Sequence, residues 1–146
     1  MKDCSEKAVE YFESGYNCAQ SVFLAYAQEF GIEQEMALKL SSSFGGGMGR
    51  LREVCGAVTS MFAIAGLKKG YTSNNNDELK AKHYELIQKL AEDFKKEHST
   101  IICRELLDLN EKISSPIPSK RTQEYYQERP CAKFIETACK LISEID

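Results

Sequence analysis

Six cysteines are the residues of this 146-residue chain with the clearest chemical potential. A thiolate is both a nucleophile and a metal ligand, so gathered cysteines suit thiol–disulfide exchange, electron transfer or metal binding. The sequence contains no CxxC pair and no CxxCH. Their absence argues against a zinc ribbon and a thioredoxin-type motif, and covalent c-type haem is not expected. Any shared cysteine site must therefore be assembled by the fold.

Four of the cysteines lie at or near predicted helix starts. Cys18 directly follows Asn17, a favourable helix cap, and Cys103 opens the segment CREL. Cys131 directly follows a proline, and Cys55 lies shortly after a glycine-rich stretch. Unpaired backbone N–H groups and the helix dipole favour negative charge at such positions and lower the pKa of a thiol. One site is expected to gather the predicted catalytic cysteines, which are Cys18, Cys55, Cys103 and Cys131.

The remaining two cysteines fit other roles. Cys139 falls inside the last predicted helix at the edge of its apolar stripe, which is typical of a small core residue. Cys4 lies on the first predicted helix, where fraying makes a well-defined site least expected.

The stretch FGGGMGRLREVC places glycines and arginines immediately before Cys55. Glycine is entropically costly, so such a cluster indicates unusual backbone geometry or the close approach of another group. As an anion- or cofactor-binding loop it would use Gly45, Gly46, Gly47, Gly49 and Arg50, although neither a Walker A nor a GxGxxG pattern is present. Close passage beneath a buried helix is the alternative. The nearby Arg50 and Arg52 predict that Cys55 is the most reactive of the six thiols.

Apolar periodicity predicts that these residues belong to an all-α protein. Two nearly continuous apolar runs indicate buried central helices over about 17–30 and 51–68. Further helices are predicted over about 3–14, 33–40, 79–94, 102–110 and 130–145. The whole chain, 1–146, is expected to form a single-domain bundle of about six or seven helices.

Composition and charge narrow the possible functions. The formal net charge is −3 and no block of basic residues occurs, so nucleic acid is not an expected partner. No apolar run is long enough to cross a bilayer, and the start of the chain lacks a signal-peptide core. A cytoplasmic protein without membrane insertion is expected, and oligomer formation is left open. In a reducing compartment the cysteines should be free thiols, metal ligands or switching pairs rather than static disulfides.

A segment of irregular sequence, 111–129, separates the last two predicted helices. Loops of this length in compact domains are usually functional or disordered. The favoured interpretation is a strap that packs Ile113, Ile117 and Tyr125 over the core, and the alternative is a lid over a site.

The cysteine-containing segments resemble the redox-active protein family named for its C_GCAxxG_C_C pattern. The resemblance covers nearly the whole chain, through GYNCAQSV at Cys18, FGGGMGRLREVCGAVTS at Cys55, CREL at Cys103 and the late Cys131. It implies a redox or cofactor-linked role for these four cysteines and leaves the other two outside the pattern. One departure is Ser60, which stands where the family's CGAxxG motif ends in glycine. A close backbone approach at that position is expected to be slightly relaxed.

Three functions remain open at this point. In the favoured one, thiols with lowered pKa cycle between dithiol and disulfide with a redox partner protein or a small-molecule oxidant or reductant. Cys18 and Cys55 are the expected pair because they open the two buried helices, and Cys103 and Cys131 are a second pair or resolving thiols. In the second, the same four thiolates bind an iron–sulfur cluster or zinc. In the third, a non-catalytic helical module binds an anion or cofactor at the glycine loop.

Overall fold

The protein is helical in each part that the structure describes. A computed structural model gives the arrangement of residues 1–110 and 113–146. Within these ranges the regular elements are helices, accompanied by an isolated antiparallel bridge between Val54 and Ile102. The all-α class predicted from the sequence is confirmed.

The helical elements run from Ser5 to Ser143. In chain order they are α1 (Ser5–Glu13), α2 (Cys18–Ala27), α3 (Gln34–Ser41), α4 (Gly45–Met48), α5 (Gly56–Lys69), α6 (Asp77–His98), α7 (Cys103–Leu106), α8 (Gln123–Glu128) and α9 (Cys131–Ser143). Two 3-10 turns, Gln28–Phe30 and Ser42–Phe44, extend α2 and α3. Across the described ranges, no helix is both long and apolar enough to span a membrane. The short elements α4 and α8 are not predicted by apolar periodicity.

Helices α2 and α5 form the buried centre, as their apolar runs predict. Helices α1 and α9 pack against α2, while α6 and α9 pack against α5. The start of α2 is fixed by a capping box in which Asn17 accepts from the Gln20 N–H and the Gln20 side chain accepts from the Asn17 N–H. Fully buried Cys139 belongs to this core, as predicted.

Two predicted helix boundaries are wrong. Helix α5 begins at Gly56 rather than near residue 51, because Arg52 has a left-handed backbone and Val54 takes part in the isolated bridge. Helix α7 ends at Leu106 rather than near residue 110, because Asp108 is also left-handed. Apolar periodicity cannot detect such conformations, since the side chains around them still follow a helical pattern.

The segment that follows α7 is held differently from the predicted strap. Ile113 and Ile117 are 63% and 74% exposed, so their predicted packing over the core is wrong. Tyr125 does pack against the core. Instead of the isoleucines, polar contacts hold the segment, such as the bond from Arg52 Nε to Ser114 Oγ. Residues 111–112, which begin the predicted loop, lie outside the described residues.

Candidate functional site

All four predicted cysteines line one cavity of about 260 Å³. Cys18, Cys103 and Cys131 are the first residues of α2, α7 and α9, and Cys55 immediately precedes α5. Cys18 and Cys131 are partly exposed, whereas Cys55 and Cys103 are buried. The amino-terminal ends of four helical elements therefore face the same space. Cys4 and Cys139 are not among its lining residues.

The isolated bridge brings the starts of α5 and α7 side by side. Next to it, the Cys55 N–H donates to the Ile101 carbonyl at 2.8 Å, and the Cys103 N–H donates to the Glu53 carbonyl at 2.6 Å. These hydrogen bonds hold the backbone segments of Cys55 and Cys103 next to each other. A single pair of bridged residues has no periodic signature in the sequence, which explains why this connection is not predicted.

Cys18 lies where several hydrogen-bond donors converge. The Cys55 thiol and the backbone N–H groups of Gly46, Ala19 and Gly56 all favour its thiolate form. The Cys55 bond is the largest influence and, with the three N–H groups, outweighs the effect of burial, so that the pKa of Cys18 falls to about 6. At neutral pH Cys18 is therefore mainly a thiolate.

Cys55 is the protonated partner of this thiolate. Its hydrogen bond to Cys18 and its burial raise the pKa of Cys55 well above the ordinary value. The expectation that Cys55 is the most reactive thiol stays a prediction, and the lowered pKa of Cys18 beside the raised pKa of Cys55 favours Cys18 instead. The reason is that the backbone donors of the glycine stretch and of two helix starts point at Cys18.

The other two cavity cysteines carry their protons. Burial raises the pKa of Cys103, and the Arg52 guanidinium, whose Nη1 donates to Cys103 Sγ at 3.6 Å, opposes that rise. Burial, followed by the nearby negative charge of Cys18, raises the pKa of Cys131 to about 12. The cavity thus holds one acidic thiol and three weakly acidic ones.

The glycine stretch owes its composition to backbone geometry and close contacts. Gly46, Gly47 and Gly49 have φ of 66°, 69° and 59°, in the left-handed region that favours glycine. A Cβ at Gly47 would lie 2.6 Å from the Cys103 Cβ, and one at Gly45 would clash with the Asn17 side chain. The stretch therefore lets the ends of α2 and α7 approach each other.

The residues predicted to bind an anion or cofactor fall into two groups. Gly45, Gly46, Gly49 and Arg50 line the cavity. Gly47 is buried against the α7 start and does not line it. The N–H group of Gly46 is directed at the Cys18 sulfur, so part of this loop serves the thiolate itself.

A family model described as "Putative redox-active protein (C_GCAxxG_C_C)" matches residues 16–145. The chain belongs to this family. The match includes all four cavity cysteines and excludes Cys4, and it confirms the resemblance found in the cysteine segments. Searches of curated proteins and of solved structures give no match.

Two positions of the segment CGAVTS have a direct structural explanation. A Cβ at Gly56 would lie 2.6 Å from Cys18 Sγ and 2.8 Å from the Phe44 carbonyl oxygen, so the glycine after Cys55 makes room for the Cys18 thiolate. Ser60 is buried, and its hydroxyl donates to the Ala19 carbonyl at 2.6 Å. The serine therefore connects α5 directly to the start of α2.

Several cavity residues lie outside those predicted from the sequence. Arg121, Arg129 and Tyr125 line the cavity from the segment after α7. The guanidinium carbons of both arginines lie over the Tyr125 ring, at 4.9 and 5.5 Å from its centroid. In the sequence, the alternation of basic and aromatic residues in KRTQEYYQER could have indicated these cavity residues. Pro116 and Pro118 also line the cavity, so this segment covers the site in the manner of the alternative lid interpretation.

The cysteines do not form a metal-binding arrangement. Within the described parts of the chain, no three Cys, His, Asp or Glu side chains are grouped closely enough to share an ion. The four thiols line one cavity, and one of them, Cys103, accepts a hydrogen bond from Arg52. The donor set therefore does not fit the Cys₄ alternative for zinc or an iron–sulfur cluster.

Proposed function

We propose that this protein is a thiol-redox protein in which Cys18 is the nucleophile and Cys55 is its resolving thiol. The observation that carries the proposal is the position of the Cys18 sulfur, which lies against Gly56, the residue after Cys55, in the cavity that both cysteines line. The Cys55 thiol and three backbone N–H groups lower the pKa of Cys18 at this place. Membership of a family described as redox-active supports the same chemistry.

The reaction follows from the ionisation of this pair. The Cys18 thiolate attacks an oxidised sulfur of a disulfide substrate, which breaks the substrate's S–S bond and releases one substrate thiolate. Cys55 then passes its proton to the first released thiolate and attacks Cys18 Sγ, which breaks the mixed disulfide, forms the Cys18–Cys55 disulfide and releases the second thiolate. The two protein thiols lose two electrons, and the substrate disulfide gains them. A redox partner protein or a small thiol would return the pair to its reduced form.

Cys103 and Cys131 fit a later step in this scheme. Both are protonated at neutral pH and line the same cavity as the reactive pair. They would act as a second pair or as resolving thiols for the Cys18–Cys55 disulfide.

Controlled oxidation tests the proposed pair. Reduced protein is treated with one equivalent of diamide, which oxidises two thiols to a disulfide, and the linked peptides are identified by mass. We expect a loss of two thiols per chain and a Cys18–Cys55 link. Cys4→Ser should give the same link because Cys4 lies outside the cavity. A first disulfide that omits Cys18, or no intramolecular disulfide at all, would reject the proposal.

A further inference from the structure

The cavity beside Cys18 is unusually rich in positive charge for a protein with a net charge of −3. Its lining includes Arg50, Arg52, Arg121 and Arg129. No Asp or Glu is found among those lining residues that the structure describes. Apart from the Cys18 thiolate the charged lining is positive, and a concave surface lined mainly by positive charge concentrates anions.

Arg52 carries its charge in a buried position. The residue is 4% exposed, and it donates hydrogen bonds to two neutral groups, the Ser114 hydroxyl and the protonated Cys103 thiol. A buried guanidinium is costly unless an opposite charge compensates it. An anion in the adjoining cavity would supply that compensation.

Arg121 and Arg129 extend this positive surface along the segment after α7. Arg121 donates to the carbonyl oxygens of Phe12 and Tyr16 at 3.0 and 3.2 Å, and both guanidinium groups lie over Tyr125. In the described ranges, none of the ion pairs involves Arg52, Arg121 or Arg129. Carbonyl oxygens and a ring face hold these guanidinium groups in place without cancelling their full charge.

The remainder of the lining is largely apolar, which bears on the kind of anion. Its apolar side chains are those of Phe12, Leu106, Leu107, Pro116, Pro118 and Phe134. A bare oxyanion would leave these surfaces without contact, whereas a molecule with a carbon skeleton and acidic groups would use both kinds of surface. The volume of about 260 Å³ lies below the usual range for drug-sized ligands, roughly 300–1,000 Å³, so the molecule must be small.

We propose that the oxidised substrate of the Cys18–Cys55 pair is a small organic disulfide bearing carboxylates, which the arginines of this cavity bind and orient. This inference rests on the thiol-redox function proposed above. The carboxylates face Arg52, Arg121 and Arg129, and the disulfide lies against Cys18, which lines the same cavity. Attack by Cys18 and closure by Cys55 then release two carboxylate-bearing thiols, with the electron balance given above.

A series of disulfides that differ in charge tests the inference. The probes are 3,3'-dithiodipropionate, a dianion, bis(2-hydroxyethyl) disulfide, which is neutral, and cystamine, a dication. Reduced full-length protein is mixed with each probe, and formation of the Cys18–Cys55 disulfide is followed by quenched mass analysis. Each rate is divided by that of free 2-mercaptoethanol with the same probe, which removes differences in intrinsic reactivity.

We expect the normalised rate of the dianion to exceed that of the neutral disulfide by about 10-fold or more, with the dication slowest. This preference should shrink when the salt concentration rises from about 0.02 to about 0.5 M. Arg129→Gln should lower the dianion-to-neutral ratio several-fold, and Arg129→Lys should largely preserve it. Lys39→Gln, which removes an exposed positive charge on α3, is the matched control and should leave the ratio intact.

The outcomes separate this inference from the function on which it rests. If the neutral probe reacts as fast as the dianion and all probes yield the Cys18–Cys55 disulfide, the substrate class is wrong and the redox function stands. If no probe yields that disulfide, the proposed function itself fails. A ratio unchanged by both Arg129→Gln and salt would also reject a role for the arginines.

Discussion

Cys18 is distinguished from the other five thiols by what surrounds its sulfur. Helix position alone does not separate the four cavity cysteines, because each lies at a helix start. The difference is that the Cys55 thiol and the N–H groups of Gly46 and Gly56 lower the pKa of Cys18, and that Gly56 leaves space for its sulfur. At Cys103 and Cys131, burial is the largest influence on the pKa and raises it. At Cys55, the hydrogen bond to Cys18 is the largest influence, and burial raises the pKa further.

Gly56→Ala tests this packing around the thiolate. The new Cβ would meet both Cys18 Sγ and a backbone carbonyl oxygen, which cannot move as a flexible side chain can. We expect the free energy of unfolding to fall by about 1–3 kcal/mol, although alanine is the better helix former. Urea unfolding of the reduced protein measures this change in the free energy of unfolding.

Gly66→Ala is the matched control on the same helix. A Cβ at Gly66 would meet no atom within 4 Å, so this variant should be neutral or more stable by up to about 1 kcal/mol. Equal effects of the two substitutions would show that space for the Cys18 sulfur is not what the glycine provides.

The cysteine positions could be predicted from the sequence, but the order of their acidities could not. Asn17 and Pro130 mark helix boundaries by local chemistry, so Cys18 and Cys131 are placed correctly. The acidity of Cys18 depends on Gly46 and Gly56, which are distant in the sequence and meet it only in the folded chain. From the sequence alone, the nearby Arg50 and Arg52 instead favour Cys55 as the most reactive thiol.

At the scale of helices, the contact between α2 and α5 sets the geometry of the reactive pair. Ser60 crosses this contact and donates to the Ala19 carbonyl, in the first turn of α2. The sequence predicts both buried helices from their apolar runs, but it gives α5 a start near residue 51. The actual start is decided by a left-handed arginine and a bridge to a distant segment, neither of which leaves a periodic pattern.

Ser60→Ala tests the role of this hydrogen bond. The substitution leaves the Ala19 carbonyl without its buried donor, so the free energy of unfolding should fall by about 1 kcal/mol. Thr59→Val is the neighbouring control, because among the described residues the buried Thr59 hydroxyl has no hydrogen-bond partner. It should be neutral or slightly stabilising. A loss at Thr59 equal to that at Ser60 would contradict the assigned contact.

At the scale of the whole molecule, ionisation of the cysteine pair links stability to pH. The folded pair releases its first proton near pH 6, while an unfolded cysteine keeps its proton to about pH 8.5. In the lower part of this range the unfolded chain binds more protons, so the free energy of unfolding rises with pH. The sign reverses below pH 8.5, because the other five cysteines all have raised pKa values and keep protons on the folded protein that the unfolded chain begins to lose.

We therefore expect the stability of the reduced protein to rise between about pH 6.5 and 7.5, by less than about 1.4 kcal/mol per pH unit. Cys18→Ser should abolish this rise. Burial lowers the pKa of His98, so this residue reduces the stability of the folded protein only below its ordinary pKa of about 6.5. That separate effect should remain in the Cys18→Ser variant. An unchanged slope in Cys18→Ser would assign the pH dependence to other groups.

The direct test of the account is the pH dependence of Cys18 alkylation in the reduced protein. Limiting iodoacetamide is added across the pH range, and the labelled cysteines are identified by peptide mass, with Cys55→Ala as the comparison. We predict that Cys18 is labelled first with a midpoint at about pH 6, and that Cys55→Ala shifts this midpoint upward because the strongest hydrogen bond is lost. A midpoint for Cys18 at the ordinary cysteine value of about 8.5, or earlier labelling of another cavity cysteine, would contradict the account.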